Sequence, residues 1–243
     1  MTQSGVTEPL SASLRMSLDE AGFALLEEVF TPSEVANWIE RLGEATGAPA
    51  SADGNARDVL AACPDVESLW RQPPLEEVVR STLGPAAGLV RATYFDKTSG
   101  SSWAVPWHKD LSLPVRPGVS VDPHKTVWGQ VIEKDGCPSA EAPLSVLRGM
   151  LQLRINLDDQ TDRNGSLAVL PGSHRDGKTV QMDGYHATPV YGRAGSVMVL
   201  RPLVAHASGH TRDESAHRRV LALEFASQPT LPDNFEWQTY QPV

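Results

Sequence analysis

The chain has 243 residues, of which 40% are hydrophobic, and it carries a formal net charge of −9 at pH 7. That length and apolar content suit one domain, residues 1–243, with a sizeable core, and no stretch approaches the roughly 18 apolar residues of a membrane span. The negative charge argues against binding to a nucleic-acid backbone, which needs a basic surface. We therefore expect a single folded domain that binds neither nucleic acid nor a membrane.

The N-terminal residues and the cysteines indicate a cytoplasmic protein. Residues 1–10 lack the basic and then apolar segments of a secretory signal, so we predict a disordered tail and a cytoplasmic location. Cys63 and Cys137 are too few for a disulfide framework, and their spacing matches no zinc motif. We interpret them as two reduced, unrelated thiols.

Helices and a strand are predicted first along the chain. Ser17–Glu20 has the spacing of a capping box that opens a short helix, which Gly22 ends. Residues 23–30 predict a strand. A second capping box at Thr31–Glu34, with proline at the first helical position, predicts a helix to about Ala45.

Short β-like runs dominate the rest of the chain. A polar loop over residues 47–57 and a helix over residues 75–83 come first. From Leu89 onward, β-like runs alternate with Gly, Pro and Asn, a pattern typical of a β-sandwich or barrel. The Pro- and Gly-rich segment 112–148 is long enough to predict a lid or insert.

The most informative motif is His108-Lys109-Asp110. One intervening residue puts the histidine and the aspartate on the same face of a strand. His206, at the end of an apolar run, offers a third ligand, with His210 as its competitor. Two histidines and a carboxylate suit non-haem Fe(II) and leave positions open for a cosubstrate and oxygen. The His-X-Asp pattern also occurs by chance in surface turns, so the motif alone does not identify a metal site.

Two later runs alternate in polarity. In residues 151–157 the odd positions are apolar and the even ones polar, so the polar face either lines a site or meets solvent. In residues 218–225 the bulky apolar side chains share one face, and Arg218 shares the roomier one with Glu224. A guanidinium at Arg218 could bind a carboxylate through two parallel hydrogen bonds, which would leave Arg219 at the rim.

These residues resemble the phytanoyl-CoA dioxygenase family of Fe(II)- and 2-oxoglutarate-dependent oxygenases. The resemblance covers most of the chain and includes, in order, residues 22–26, Tyr94-Phe-Asp-Lys97, Pro106-Trp-His108-Lys-Asp110, Asn164–His174 and His206-Ala-Ser208. It implies a mainly β fold with flanking helices around a double-stranded β-helix core, which is a jelly roll of the cupin-like kind. It also implies an iron site with three ligands, His108, Asp110 and His206.

The resemblance further implies how 2-oxoglutarate is bound. Arg218 would pair with its distal carboxylate, assisted by Ser208, although Arg218 follows His206 at slightly more than the family spacing. Arg154 is a further candidate cofactor contact, because some relatives carry a cofactor-contacting tryptophan at its position; the arginine is a departure that would change contacts with the cosubstrate or the substrate. The remaining candidate contacts are Thr93 and Lys97 for 2-oxoglutarate, and Trp107, Arg116 and Gln152 for substrate. An ordinary strand residue at Thr93 and a solvated lysine at Lys97 are the competing interpretations.

The implied reaction consumes 2-oxoglutarate and O2, releases succinate and CO2, and hydroxylates or desaturates a small molecule. Asp110 favours these outcomes over halogenation, because related halogenases carry a small residue there. Basic residues in the segment 112–148, namely Arg116, His124, Lys125 and Lys134, suggest an anionic substrate, unless they are simply solvated. Two other classes stay open: a metal-dependent jelly-roll hydrolase or isomerase, and a noncatalytic ligand-binding jelly roll.

Overall fold

The structure is a computed structural model that describes residues 12–47, 55–56, 59–98, 102–117, 126–134, 137–212 and 217–243. The predicted tail, most of the predicted loop over residues 47–57, and both His124 and Lys125 lie outside the described residues.

Helices and strands of the described residues are as follows. The α-helices are α1 Ala12–Glu20, α2 Pro32–Thr46, α3 Val59–Ala62, α4 Pro73–Leu83 and α5 Leu144–Arg148, and 3-10 helices span Pro64–Arg71, Ser173–Asp176 and Pro232–Asn234. The strands are β1 Phe23–Leu26, β2 Asn55–Ala56, β3 Gly88–Lys97, β4 Val105–His108, β5 Ser112–Pro117, β6 Ile132–Lys134, β7 Cys137–Glu141, β8 Met150–Asn156, β9 Leu167–Val169, β10 Thr188–Pro189, β11 Val197–Leu200, β12 His206–Ser208, β13 Arg218–Ala226, β14 Phe235–Trp237 and β15 Gln241–Pro242. None of the helices in these ranges has the length and apolar character needed to cross a membrane.

The capping box at Thr31 is confirmed, whereas the one at Ser17 is wrong. Thr31 Oγ1 accepts a hydrogen bond from the Glu34 amide, and the Glu34 carboxylate accepts one from the Thr31 amide at 2.8 Å. Helix α1 already runs from Ala12, so Ser17 lies inside it, because the buried Leu14 anchors the preceding turn in the core.

β1 is shorter than predicted because the chain turns after Leu26. Glu28 adopts a positive φ of 55°. The amides of Val29 and Phe30 then bond to the carbonyl of Gly195 instead of continuing a strand.

Three antiparallel sheets make up the β structure of the described residues. The largest runs β1-β11-β8-β13-β3-β15, with β2 also paired to β3; a second runs β10-β9-β12-β4 and a third β14-β5-β7-β6. Helices α1 to α4 cover one face of the large sheet, where the odd-numbered residues of β8 and β13, such as Leu153 and Leu223, join the main core. The other face and the β9-β12-β4 sheet line one cavity, described below.

The segment 112–148, predicted as a lid or insert, contributes ordered structure where it is described. It forms β5, β6, β7 and α5, and β14 completes their sheet. Leu113, Val115 and Ala140 pack with Trp128 and Phe235 in a second apolar cluster, in which the two rings stack at 4.6 Å. Its described strands are therefore fixed to the domain by core packing.

Candidate metal centre and its cavity

His108, Asp110 and His206 lie together where two strands meet. β4 and β12 pair antiparallel, so that His206 faces His108 across the ladder. The Asp110 amide bonds to the carbonyl of Pro202 at 3.0 Å, which holds the residue beside β4 after the strand ends. Ligand atoms of the three side chains all lie within 4.8 Å of one another. The distance from an Asp110 oxygen to Nε2 is 3.8 Å for His108 and 3.7 Å for His206.

Each histidine is oriented by a carbonyl of its own chain segment. Nδ1 of His108 lies 2.8 Å from the Pro106 oxygen, and Nδ1 of His206 lies 3.0 Å from the Val204 oxygen. Since a carbonyl can only accept, Nδ1 carries the proton and donates it in both cases. The Nε2 lone pairs therefore face Asp110, in the tautomer that a metal ligand needs.

The protonation states of the cluster also suit a metal. Burial lowers the pKa of His206, which favours the neutral imidazole. At Asp110 burial acts to raise the pKa, but His206, His108 and the cations Arg91 and Arg154 outweigh it and hold the pKa below its usual value. A neutral imidazole at His206 and an ionised carboxylate at Asp110 bind a divalent cation without first losing protons. This donor set, without a thiolate, fits non-haem Fe(II).

A cavity of about 410 Å³ opens beside the three residues, between the two sheets. Its wall includes Thr93, Phe95, Trp103, Gln152, Arg154 and Arg218. Gln152 and Arg154 are buried. The polar face of β8 therefore lines the cavity and does not meet solvent.

Arg218 brings an unpaired positive charge into this cavity. Its side chain is 3% exposed, and its Nε and Nη1 are buried without a hydrogen-bond partner among the described residues. Burial, and then the charge of Arg154, lower its pKa to about 9. An isolated buried cation is costly, so the arrangement calls for a bound anion.

Arg219 points the other way and is fully engaged. Its guanidinium donates to both carboxylate oxygens of Asp158, at 2.8 and 2.6 Å, and its amide donates to one of them at 2.7 Å. The two adjacent arginines therefore lie on opposite faces of β13.

Lys97 lies next to Arg218 across the β3–β13 ladder and is also buried. Its Nζ donates to Ser208 Oγ at 2.9 Å and to the carbonyls of Trp103 at 2.7 Å and Gly209 at 3.2 Å. Burial, followed by the charges of Arg218 and Arg154, lowers its pKa to about 6. Lys97 thus positions the hydroxyl of Ser208, which lines the same cavity as Arg218.

Replacing Lys97 with methionine is expected to change how stability depends on pH. The pKa of Lys97 is about 6 in the folded protein and 10.5 ordinarily. Between these two pH values the unfolded chain binds more protons than the folded one, so the free energy of unfolding of wild type rises with pH over that range. The gain in free energy of unfolding of Lys97→Met over wild type should therefore be largest near pH 6 and shrink toward pH 10. Urea denaturation of the metal-free proteins measures it. The half-exposed Lys178→Met is the control, and a difference independent of pH would contradict the prediction.

The other predicted residues fall into two groups. Thr93 and Gln152 line the cavity. Trp107 and Arg116 are not among its lining residues, and Arg116 instead pairs with Glu236 at 2.9 Å on the surface. Among the predicted competitors for the metal, His210 is exposed and lies outside the cluster of ligands.

His174 also lies outside the ligand cluster, in the 3-10 helix Ser173–Asp176. It packs so closely on Gly22 that a Cβ there would come within 2.5 Å of its Nδ1. His174 therefore packs against the start of β1 and takes no part in the ligand cluster.

Two charged cavity residues, Arg91 and Glu224, were missed from the sequence. The Arg91 guanidinium donates to both Glu224 oxygens, at 2.9 and 2.6 Å, and Gln152 Nε2 donates to one of them at 3.2 Å. Alternation along β3 puts Arg91 on the same face as Thr93, and that signal could have identified it. Alternation along residues 218–225 had placed Glu224 on the face of Arg218, but no signal along the chain indicated that it pairs with Arg91, because the two residues meet only through the pairing of β3 with β13.

Comparisons with known proteins agree with this geometry. The family model described as phytanoyl-CoA dioxygenase (PhyH) matches residues 18–220. Ectoine dioxygenase of Sphingopyxis alaskensis is 24% identical over an alignment of 180 residues, and the match covers 69% of this chain and 51% of that protein. The chain thus spans about half the length of this curated relative.

Solved structures share the fold. EctD from S. alaskensis in its apoform superposes with a TM-score of 0.69 at 19% identity, covering 100% of this chain and 89% of that one. The non-haem alpha-ketoglutarate-dependent carbocyclase SnoK from nogalamycin biosynthesis gives 0.67 at 15% identity, covering 93% and 96%. These matches confirm the predicted mainly β jelly-roll fold. With the family model matching most of its length, this chain belongs to the phytanoyl-CoA dioxygenase family.

Proposed function

We propose that this protein is an Fe(II)- and 2-oxoglutarate-dependent oxygenase that hydroxylates or desaturates a small molecule. The observation that carries the proposal is the presence, in one cavity, of a two-histidine, one-carboxylate cluster and the buried guanidinium of Arg218, whose Nε and Nη1 have no hydrogen-bond partner among the described residues. The first suits Fe(II) and the second suits the distal carboxylate of a keto acid.

The residues of the cavity would bind and orient the metal and the keto acid and shield them from water. His108, Asp110 and His206 would hold Fe(II), while Arg218 and the Ser208 hydroxyl, which Lys97 positions, would bind the carboxylate of 2-oxoglutarate. When bound, the metal and the keto acid supply oxidation of a substrate C–H bond by O2, with release of succinate and CO2. Phe95 and Trp103 add apolar surface to the cavity wall, which limits the access of water.

Two further observations support the proposal. EctD from S. alaskensis, which shares the fold, has been crystallised with bound Fe and with 2-oxoglutarate and 5-hydroxyectoine. In this chain Asp110 occupies the position that must be vacant for a halide, so hydroxylation or desaturation is the expected outcome. The cytoplasmic location stays a prediction.

Each competing class leaves one feature of the cavity without a role. A zinc hydrolase or isomerase could use the same three ligands but has no need of a buried cation beside them. A noncatalytic binding protein could use the arginine but would not need an open metal site.

An anaerobic titration of the apoprotein with Fe(II), and then with 2-oxoglutarate, tests the proposal. We expect the visible charge-transfer band of the keto-acid chelate to appear only after the second addition. Zn(II)-loaded protein is the control, because a d¹⁰ ion gives no such band. If the protein binds iron but the charge-transfer band does not appear when 2-oxoglutarate is added, the proposal is contradicted and one of the competing classes is favoured.

A further inference from the structure

Arg154 places a second positive charge in the cavity. It projects from β8 opposite Ala222 and is 7% exposed. Its guanidinium lies 5.4 Å from the centre of the Phe95 ring, and Nη1 donates to Gln152 Oε1 at 3.1 Å. Among the described residues, the guanidinium donates only this hydrogen bond to a neutral amide, so other donors of its planar fork remain for a ligand.

The carboxylates nearby are already committed to other partners. Glu224 takes both hydrogen bonds of Arg91 and one from Gln152. Asp110 lies between the two histidines as the carboxylate of the metal cluster. Burial lowers the pKa of Arg154, although the negative charges of Asp110 and Glu224 act in the opposite direction.

Among the described residues, the balance of charge leaves one guanidinium unmatched. The cavity wall carries three guanidinium groups and two carboxylates: Arg91, Arg154, Arg218, Asp110 and Glu224. Lys109 also borders the cavity, but its ammonium donates to the carbonyls of Ser173 and Gly177, which do not line it. A divalent metal ion and a dianionic keto acid cancel each other, so their binding leaves the surplus unchanged. If the keto acid takes Arg218, the unmatched cation is Arg154, and a further anion would remove the cost of burying it.

We propose that Arg154 receives a carboxylate of the substrate, so that the protein acts on small carboxylic acids; this rests on the proposed oxygenase function. A guanidinium matches a carboxylate with two parallel hydrogen bonds. Ser112, whose carbonyl accepts from Arg91, lines the same cavity and has a buried hydroxyl without a partner among the described residues. The 410 Å³ cavity is near the lower end of the range of roughly 300–1,000 Å³ for small-molecule sites, and the keto acid shares it, so the enclosed part of the substrate is small.

The test uses defined probes on the anaerobic protein loaded with Fe(II) and 2-oxoglutarate. Straight-chain acids from acetate to octanoate, and benzoate, are compared with their primary amides and with inorganic phosphate, and binding is followed by the change in the charge-transfer band. At least one acid should bind about tenfold or more tightly than its amide. Arg154→Gln should remove that preference while leaving the Kd of 2-oxoglutarate within about threefold, because Arg218 holds the keto acid.

Control variants separate the charge of Arg154 from its shape. Arg154→Lys keeps the charge without the planar fork and should retain part of the preference. The exposed Arg80→Gln on α4 removes a guanidinium away from the cavity and should behave as wild type.

Three outcomes would overturn the proposal. These are no preference for acids over amides in wild type, a stronger preference for phosphate, and a loss of 2-oxoglutarate affinity in Arg154→Gln as large as in Arg218→Gln. If wild type binds iron but never gives the band, the proposed function fails separately. Calorimetric titration of the same acids and amides into Zn(II)-loaded wild type and Arg154→Gln then still tests Arg154.

Discussion

Replacing either Asp110 or His206 with alanine is expected to abolish Fe(II) binding. The cluster offers two imidazole nitrogens and one carboxylate, so each substitution leaves only two donors. The rings of His108 and His206 are 4.2 Å apart. Loss of an outer partner of a metal ligand alone costs about 10–100-fold in affinity, and the loss of a ligand should exceed that. Equilibrium dialysis under anaerobic conditions, with iron measured by mass spectrometry, gives the affinity.

Two histidine variants serve as matched controls for this result. His210→Ala changes an exposed histidine that follows β12, and His174→Ala changes one outside the ligand cluster. Both should bind iron as wild type does. Circular dichroism should show that Asp110→Ala and His206→Ala still fold. Wild-type iron affinity in His206→Ala, or its loss in His210→Ala, would refute the ligand assignment.

Parity along single strands predicted which residues share a face. In β8 the odd residues join the main core while Gln152 and Arg154 line the cavity, and in β13 Arg218 lies on the cavity face as its alternation indicated. The capping box at Thr31 was equally local, since both of its hydrogen bonds join residues three apart. These predictions held because each depends on backbone geometry within one element.

Features that depend on pairing between distant strands could not be predicted in the same way. The Arg91–Glu224–Gln152 row exists because β3, β13 and β8 are neighbours in register, and no pattern along the chain sets that register. The start of α1 was also missed, because Leu14 is held by tertiary burial and the local capping signal at Ser17 pointed elsewhere. Similarly, the polar strand face of β8 could not be distinguished from a solvated one until the opposing sheet was placed.

The adjacent arginines of β13 should respond oppositely to the same substitution. Arg218→Gln should weaken 2-oxoglutarate binding by about 30-fold or more, equivalent to about 2 kcal/mol, because a charge-assisted bidentate contact is lost. The same change should stabilise the metal-free protein, since it removes an unpaired buried charge. Titration of the charge-transfer band and urea denaturation measure the two effects.

Arg219→Gln should show the reverse pattern. Its guanidinium pairs with Asp158 on the other face of β13, so the variant should bind 2-oxoglutarate as wild type does and lose roughly 1–3 kcal/mol of stability. Comparing the two variants separates effects on 2-oxoglutarate binding from effects on folding. Neither a general loss of fold nor a general loss of positive charge would lower affinity in one variant and stability in the other. If Arg219→Gln lost 2-oxoglutarate binding and Arg218→Gln kept it, the faces of β13 would be exchanged relative to the structure, and the proposed cosubstrate site would have to be abandoned.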